Sequence, residues 1–235
     1  MGAKNSPARK NRSNRAWIQQ HLADPYVRAA TRDGYRSRAA YKLIEIDDQD
    51  RLIRPPATVV ELGAAPGSWT QVLVKRLSDR AGRLRGRVIA LDLLPMEPIE
   101  GVQVIEGDFR EEAVERSLAE ALQGRPADLI VSDMSPNLSG IGAADAARSQ
   151  DLCDLALQFA ANHLKPGGDL LVKTFHSSGF GQTVHQLKRR FRTVLVRKPA
   201  ASRPGSAEVY LLARGLRPPA STANPPLGGS GEESA

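Results

Sequence analysis

The sequence predicts an open α/β fold: a mostly parallel seven-stranded sheet with an antiparallel last strand and helices on both faces. Three observations predict it. From Thr58 onward, short apolar runs alternate with segments of helical period, the pattern of strands buried on both faces. The first run passes into the first helical segment through Gly63-Ala64-Ala65-Pro66-Gly67, small residues that let backbone approach a ligand closely. Acids or a lysine then stand where several runs end, at the sheet edge where ligands of such folds bind.

Taken in order, residues 1–15 are rich in Lys, Arg, Ser and Asn and are expected to form a disordered basic tail. A helix is expected from about Arg15 to Ala30, with Trp17, Ile18 and Leu22 as its apolar positions. A second, over 36–46, places Ala39, Leu43 and Ile46 on one face and leaves Arg38 and Lys42 nearer its rim. Strands follow at 58–62, 87–92, 102–106, 128–133, 169–174, 193–197 and 207–213, with helices near 68–80, 110–122, 145–164 and 180–190. About nine residues join the last two strands, too few for a crossover helix, so these strands are antiparallel. The start of the final strand, with Glu208, thereby returns to the edge that carries Asp133 and Lys173. Residues 16–215 form one domain, 16–56 being its helical extension. A Pro/Gly/Ser-rich segment, 216–235, is read as a disordered tail.

At 235 residues the chain is long enough for a full α/β core. It has no apolar run near the roughly 18 residues of a membrane span, and no apolar signal region near its start. Cys153 is the single cysteine, which excludes an internal disulfide framework and points to a reducing, cytoplasmic setting. His21, His163, His176 and His185 show no metal spacing, and no metal is expected. No exposed apolar helix suggests more than a monomer. Charge is uneven: the net is +7, yet residues 1–42 hold ten Lys/Arg against Asp24 and Asp33, which is +8. A second basic zone, free of acids from Leu170 to Ala207, contains Lys188, Arg189, Arg190, Arg192, Arg197, Lys198 and Arg203. Two such segments around a near-neutral core read as a footprint for a polyanion.

The Gly63–Gly67 turn is not the dinucleotide fingerprint, because the second and third glycines of G-x-G-x-x-G are Ala65 and Ser68. Asp92, ending the second strand, is placed to accept from both hydroxyls of an adenosine ribose, and Asp108, after the third, to read an adenine amino group. No lysine-bearing phosphate loop accompanies them, which favours a cofactor without phosphates. Lys173 ends a strand buried on both faces, a costly place for a cation unless it reaches a cleft or a carboxylate.

The stretches Ser37-Arg38-Ala39-Ala40-Tyr41-Lys42-Leu43, Glu61 to Trp69, Asp92-Leu93-Leu94-Pro95-Met96, Gly107-Asp108-Phe109, Ser132-Asp133-Met134-Ser135-Pro136-Asn137, Val172-Lys173 and Glu208-Val209-Tyr210 closely resemble the FtsJ/RlmE family. Its members are S-adenosylmethionine-dependent ribose 2′-O-methyltransferases of RNA with a Rossmann-like class I methyltransferase fold. The resemblance runs from about Trp17 to Gly215. It implies a catalytic set of Lys42, Asp133, Lys173 and Glu208, with Lys173 as proton acceptor. It also implies a cofactor site lined by Gly63, Gly67, Trp69, Asp92, Asp108 and Asp133. The similarity is greatest to the bacterial heat-shock type, which implies a uridine of 23S ribosomal RNA in the large ribosomal subunit as substrate. Related enzymes acting on tRNA are the alternative. Two departures stand out: residues 79–87 are extended, and Ala207 replaces an arginine often found before the final-strand glutamate.

Other chemistries fit less well. A base-amino enzyme would show Asn/Asp-Pro-Pro-aromatic where this chain has Asp133-Met134-Ser135-Pro136, and a carbon-5 pyrimidine enzyme needs a cysteine at the edge, not Cys153 within a helix. A nicotinamide oxidoreductase needs the missing glycines. A catalytically silent RNA-binding or ribosome-assembly module would explain the basic flanks, but not three acids and a lysine at the strand ends.

Overall fold

The computed structural model describes residues 23–136, 142–176, 179–203 and 205–218. The expectations for the tail 1–15, for Trp17, Ile18, His21 and Leu22, for Asn137 and for the segment beyond 218 lie outside these residues. One seven-stranded sheet organises the chain in the order β3-β2-β1-β4-β5-β7-β6. Its strands are β1 (Ala57–Leu62), β2 (Gly86–Asp92), β3 (Val102–Glu106), β4 (Ala127–Ser132), β5 (Leu164–Phe175), β6 (Phe191–Arg197) and β7 (Glu208–Leu216). The pairs from β3 through β5 are parallel, and β7 runs antiparallel to both β5 and β6.

Among the described residues, helices α1 (Pro25–Asp33) and α2 (Ala40–Asp50) precede the sheet. The others are α3 (Ser68–Leu77), α4 (Glu112–Leu122), α5 (Gly142–His163) and α6 (Phe180–Arg190). On one sheet face, Leu43 and Ile46 of α2 and Trp69, Val72 and Leu73 of α3 pack with Val59, Val131, Leu171 and Tyr210. On the other, Leu118 of α4, Cys153 and Leu157 of α5 and Leu187 of α6 meet Val60, Ile89, Ile130 and Leu170. Successive strand residues face opposite sides, so β1 feeds both cores, as its continuous apolar run requires.

Boundaries moved for local reasons. A helix begins afresh at Pro25, not continuously from Arg15, because Asp24 caps it, its carboxylate accepting from Tyr26 N at 2.9 Å, with proline in the first turn. The second helix runs 40–50, four residues later than its apolar spacing suggests. β5 begins at Leu164, where Leu164 pairs with Ala127 across a register irregularity. β7 extends through Leu216, which pairs with Phe191, so Leu216 belongs to the sheet and not to a tail. Residues 79–85 form a turn held by Asp79, which accepts from the Ala81 and Arg83 amides. Among the described residues, no helix is long and apolar enough to cross a membrane.

Candidate functional site

The carboxyl ends of β1, β2, β4 and β5 and the start of β7 meet at one edge. At β1 the chain leaves the sheet through Gly63, φ +79°, where a side chain would meet Met134 Cγ at 2.7 Å. It enters α3 from Gly67, φ +102°, where a Cβ would stand 2.6 Å from Arg36 Nη1 and 2.7 Å from Met96 Sδ. Both positions need glycine for their torsion, and Gly63 also for space, because the Met134 backbone stands 2.9 Å away. Arg36 locks the turn by donating to Pro66 O at 2.9 Å and Glu97 O at 2.7 Å. The first amide of α3 to find a helical acceptor is Gln71 N, bonded to Gly67 O at 3.0 Å. The amides of Ser68 and Trp69, which precede that donor, lie at the positive end of the helix, which attracts an anion.

Asp92 sits across the turn. Its Oδ2 accepts from Ala65 N at 2.8 Å and its Oδ1 from Leu94 N at 2.9 Å, which fixes the carboxylate while each oxygen keeps a further lone pair. Asp108 is held by Arg110, and this guanidinium keeps its carboxyl below the usual carboxylate range despite partial burial. Trp69 differs from the expected ligand contact. Its ring is 1% exposed, packs 5.6 Å from the Tyr210 ring and donates from Nε1 to Ala39 O at 2.7 Å. The indole joins α2 to α3.

The other side of the edge is a network of charged side chains. Lys173 Nζ donates to Asp133 O at 2.6 Å and lies 3.1 Å from Asp133 Oδ1, with the lysine side chain 6% exposed. Register explains the placement: in the antiparallel β5–β7 pair Lys173 opposes Tyr210, and Phe175 opposes Glu208. Lys42 reaches in from α2 and pairs with Glu208 Oε1 at 2.7 Å. Ser202 Oγ donates to the same oxygen at 3.0 Å. Burial pushes the Glu208 carboxyl up, but Lys42, helped by Lys173 and Ser202, outweighs it and holds the group below its ordinary value. The four residues Lys42, Asp133, Lys173 and Glu208 are thus brought together, as are Gly63, Gly67 and Asp92 beside them.

Two members of this site were not singled out in the sequence. Tyr210 is fully buried, donates from its hydroxyl to Asp133 Oδ1 at 2.7 Å and carries Lys42 Nζ 5.9 Å above its ring. Burial, with Asp133 and Glu208 nearby, raises its phenol well above the usual value, so it stays a donor. The available signal was period two: Tyr210 lies two residues after Glu208 in one strand and shares its face. Glu61 is the second. Burial pushes its carboxyl up to about 8; Thr70, donating to Oε2 at 2.6 Å, opposes this, and Asp133 and Asp92 add to it. Its Oε1 is buried without a hydrogen-bond partner. A carboxylate inside an otherwise apolar strand was the signal for it. An orphaned acid flanked by two more suits a ligand bearing positive charge, and the N-terminal end of α3 suits one bearing a carboxylate.

The basic zone at 170–207 divides. Arg197 is not available to a polyanion, because Asp50 holds it at 2.7 Å through two guanidinium nitrogens. Lys198 donates to Ser206 O and Glu208 O at the start of β7. Lys188, Arg189, Arg190 and Arg192 lie at the opposite end of the strands. Of the N-terminal cations, Arg36 is engaged at the turn and Arg38 is bonded to Asp24 and Ala201 O. Cys153 is buried, with its thiol pushed up to about 12 by burial first and Asp154 second, which leaves it inert. His176 stacks on Phe180 at 4.2 Å and His163 on Phe159 at 4.4 Å.

A family model of FtsJ-like methyltransferases matches residues 35–216. Proteins named ribosomal RNA large subunit methyltransferase E from Burkholderia mallei and Burkholderia pseudomallei are 56% identical over 217 residues, covering 89% of this chain and 99% of theirs. A Plasmodium falciparum crystal structure that carries the name ribosomal RNA methyltransferase is 30% identical. It matches with a TM-score of 0.70 over 77% of this chain and 98% of that one.

Proposed function

The chain belongs to the FtsJ-like methyltransferase family, and from that premise we propose that it methylates the ribose 2′-hydroxyl of a uridine in 23S ribosomal RNA, with S-adenosylmethionine as donor. It is an RNA methyltransferase of the S-adenosylmethionine-dependent kind. The observation that carries the finer reading is the Lys173–Asp133 contact, a nearly buried amine held at the edge that also bears the glycine turn.

The residues fit this cofactor. The amides at the start of α3 suit its carboxylate, Asp92 its ribose hydroxyls, Asp108 its adenine amino group, and Asp133 with Glu61 its positively charged end. When bound, S-adenosylmethionine supplies an electrophilic sulfonium methyl, which the hydroxyl oxygen takes as the sulfur leaves as a thioether. Everything else is done by the chain. Lys173 Nζ orients the 2′-hydroxyl and accepts its proton, and the ammonium so formed is paired with Asp133. Asp133 is itself aimed by the Tyr210 hydroxyl. Lys42 and Glu208 close the polar cage and hold the ribose beside Lys173. Burial of the network strengthens each of these contacts relative to water.

The lone buried Cys153 supports a reducing, cytoplasmic setting. We take the active species to be a monomer acting on RNA within the large ribosomal subunit. The test is transfer of label from S-adenosylmethionine to isolated large subunits, to free 23S RNA and to tRNA, followed by mapping of the modified nucleotide. A 2′-O-methyluridine in the ribosomal RNA is the expected result. Modification of tRNA alone, or of a base, overturns the assignment.

A further inference from the structure

Several of the described arginines are paired with acids. Asp50 holds Arg197, Asp169 holds Arg214, Asp47 and Asp48 hold Arg76, and Asp108 holds Arg110. One cluster is not. Lys188, Arg189 and Arg190 form the last turn of α6, Arg192 follows at the start of β6, and Arg217 leaves β7 beside them, its amide donating to Arg190 O at 2.8 Å. All five are exposed, and among the described residues none has a carboxylate partner. No acid occurs between Leu170 and Ala207 to supply one. The nearest by register, Asp169, is taken by Arg214 and by the amide of Gly215. The helix dipole accounts for cations in the last turn of α6 and not for Arg192 or Arg217, which lie outside it. Arg192 guards an edge strand, but that needs one charge, not five.

The cluster stands at the pole opposite the site. β7 begins at Glu208, in the cleft, and ends at Leu216 beside Arg217. Its nine residues at about 3.3 Å each put the cluster roughly 26 Å from Glu208. A stacked strand with a phosphate every 3.4 Å or so spans that distance in on the order of eight nucleotides.

We propose that Lys188, Arg189, Arg190, Arg192 and Arg217 form a second RNA anchor, which grips the phosphate backbone of a large folded substrate at a distance from the methylated ribose. This deepens the RNA methyltransferase reading and rests on it. The cleft selects the hydroxyl, and the anchor sets which RNAs are long and structured enough to be held while the cleft acts. Five cations without acids make an electrostatic contact of the sequence-independent kind, whose strength falls steeply with salt.

The test uses the full chain and its variant R189Q/R190Q/R192Q, with R80Q/R85Q/R125Q as a control that removes three exposed cations elsewhere. Binding of a 23S RNA fragment is measured against salt without cofactor. Methyl transfer is measured on that fragment and on a target oligonucleotide of about six nucleotides, too short to span the two sites. For R189Q/R190Q/R192Q the slope of log affinity against log salt falls by about 2–3, and affinity for the long fragment drops roughly 10- to 100-fold near 0.15 M salt. Transfer to the short oligonucleotide stays within about threefold, and the control loses clearly less affinity. An unchanged slope, or an equal loss in the control, overturns the anchor while leaving the methyltransferase reading intact. Loss of binding to anionic lipid vesicles with RNA binding unaltered overturns it in favour of a membrane surface. If the unaltered protein transfers no methyl to any RNA, the reading fails, whereas the salt slope still reports on the anchor.

Discussion

The two halves of the site are built by different physics. On the β1–β2–β3 side the fixing contacts run mostly to backbone: Asp92 accepts from the amides of Leu94 and Ala65, Arg36 donates to Pro66 O and Glu97 O, and Asp108 is held by Arg110 two residues on. On the β4–β5–β7 side the partners are distant in sequence. Lys173 and Asp133 are 40 residues apart, and Tyr210 and Asp133 are 77 apart. The first half is a shape that glycine turns and backbone contacts impose. The second is a charge arrangement that exists only once the sheet has formed. A lesion in the first is therefore expected to weaken ligand binding, and a lesion in the second to disable chemistry or destabilise the fold.

The strongest break in that comparison is Lys173→Ala. Loss of an oriented proton acceptor is expected to slow single-turnover methyl transfer by roughly 10³-fold, with S-adenosylmethionine affinity by titration calorimetry within about twofold. Near-normal transfer would remove Lys173 from the mechanism. Asp92→Asn is the converse. It weakens one or two charge-assisted hydrogen bonds, so cofactor affinity falls about 10- to 100-fold while turnover at saturating cofactor changes only a few-fold. A large loss of turnover would mean that the halves are not separable.

Tyr210→Phe sharpens the boundary. It deletes one hydrogen bond to Asp133 and leaves the ring against Trp69 in place, so stability should fall by about 1 kcal/mol and turnover by roughly tenfold at unchanged cofactor affinity. Glu61→Gln is the one change read through pH. The folded-state pKa of Glu61 is raised to about 8 from 4.5, so the folded protein retains a proton that the unfolded chain releases. Stability therefore falls as pH rises through that window, whereas the amide of the variant has no proton to lose. Unfolding free energy of the variant should match the parent near pH 4 and exceed it by on the order of 4 kcal/mol near pH 8. Equal pH profiles would show that Glu61 is not the buried acid.

This division also explains what could be read from the sequence. All seven strands and the antiparallel ending were legible, because apolar runs and loop lengths are local quantities. Gly63, Gly67, Asp92 and Asp108 were legible for the same reason. Lys42 and Glu208 were reached through strand direction and family resemblance, not through spacing. Tyr210 was hidden because an aromatic in a buried strand looks like core until its hydroxyl is seen facing Asp133. The basic zone misled in part. A run of cations in sequence gives no indication that Asp50 will claim Arg197, or that the chain will carry Arg189 and Arg190 to the far pole.

Chain order and sheet order disagree at one place, and the disagreement has a developmental cost. β7 is the last strand to leave the ribosome, yet it inserts between β5 and β6, which are made before it. Until that insertion, β5 presents an unpaired edge and the nascent protein is open to pairing with other chains. Tyr210 and Glu208 arrive with the same strand. A growing chain can thus form the Gly63–Gly67 turn well before β7 carries Tyr210 and Glu208 to the same edge.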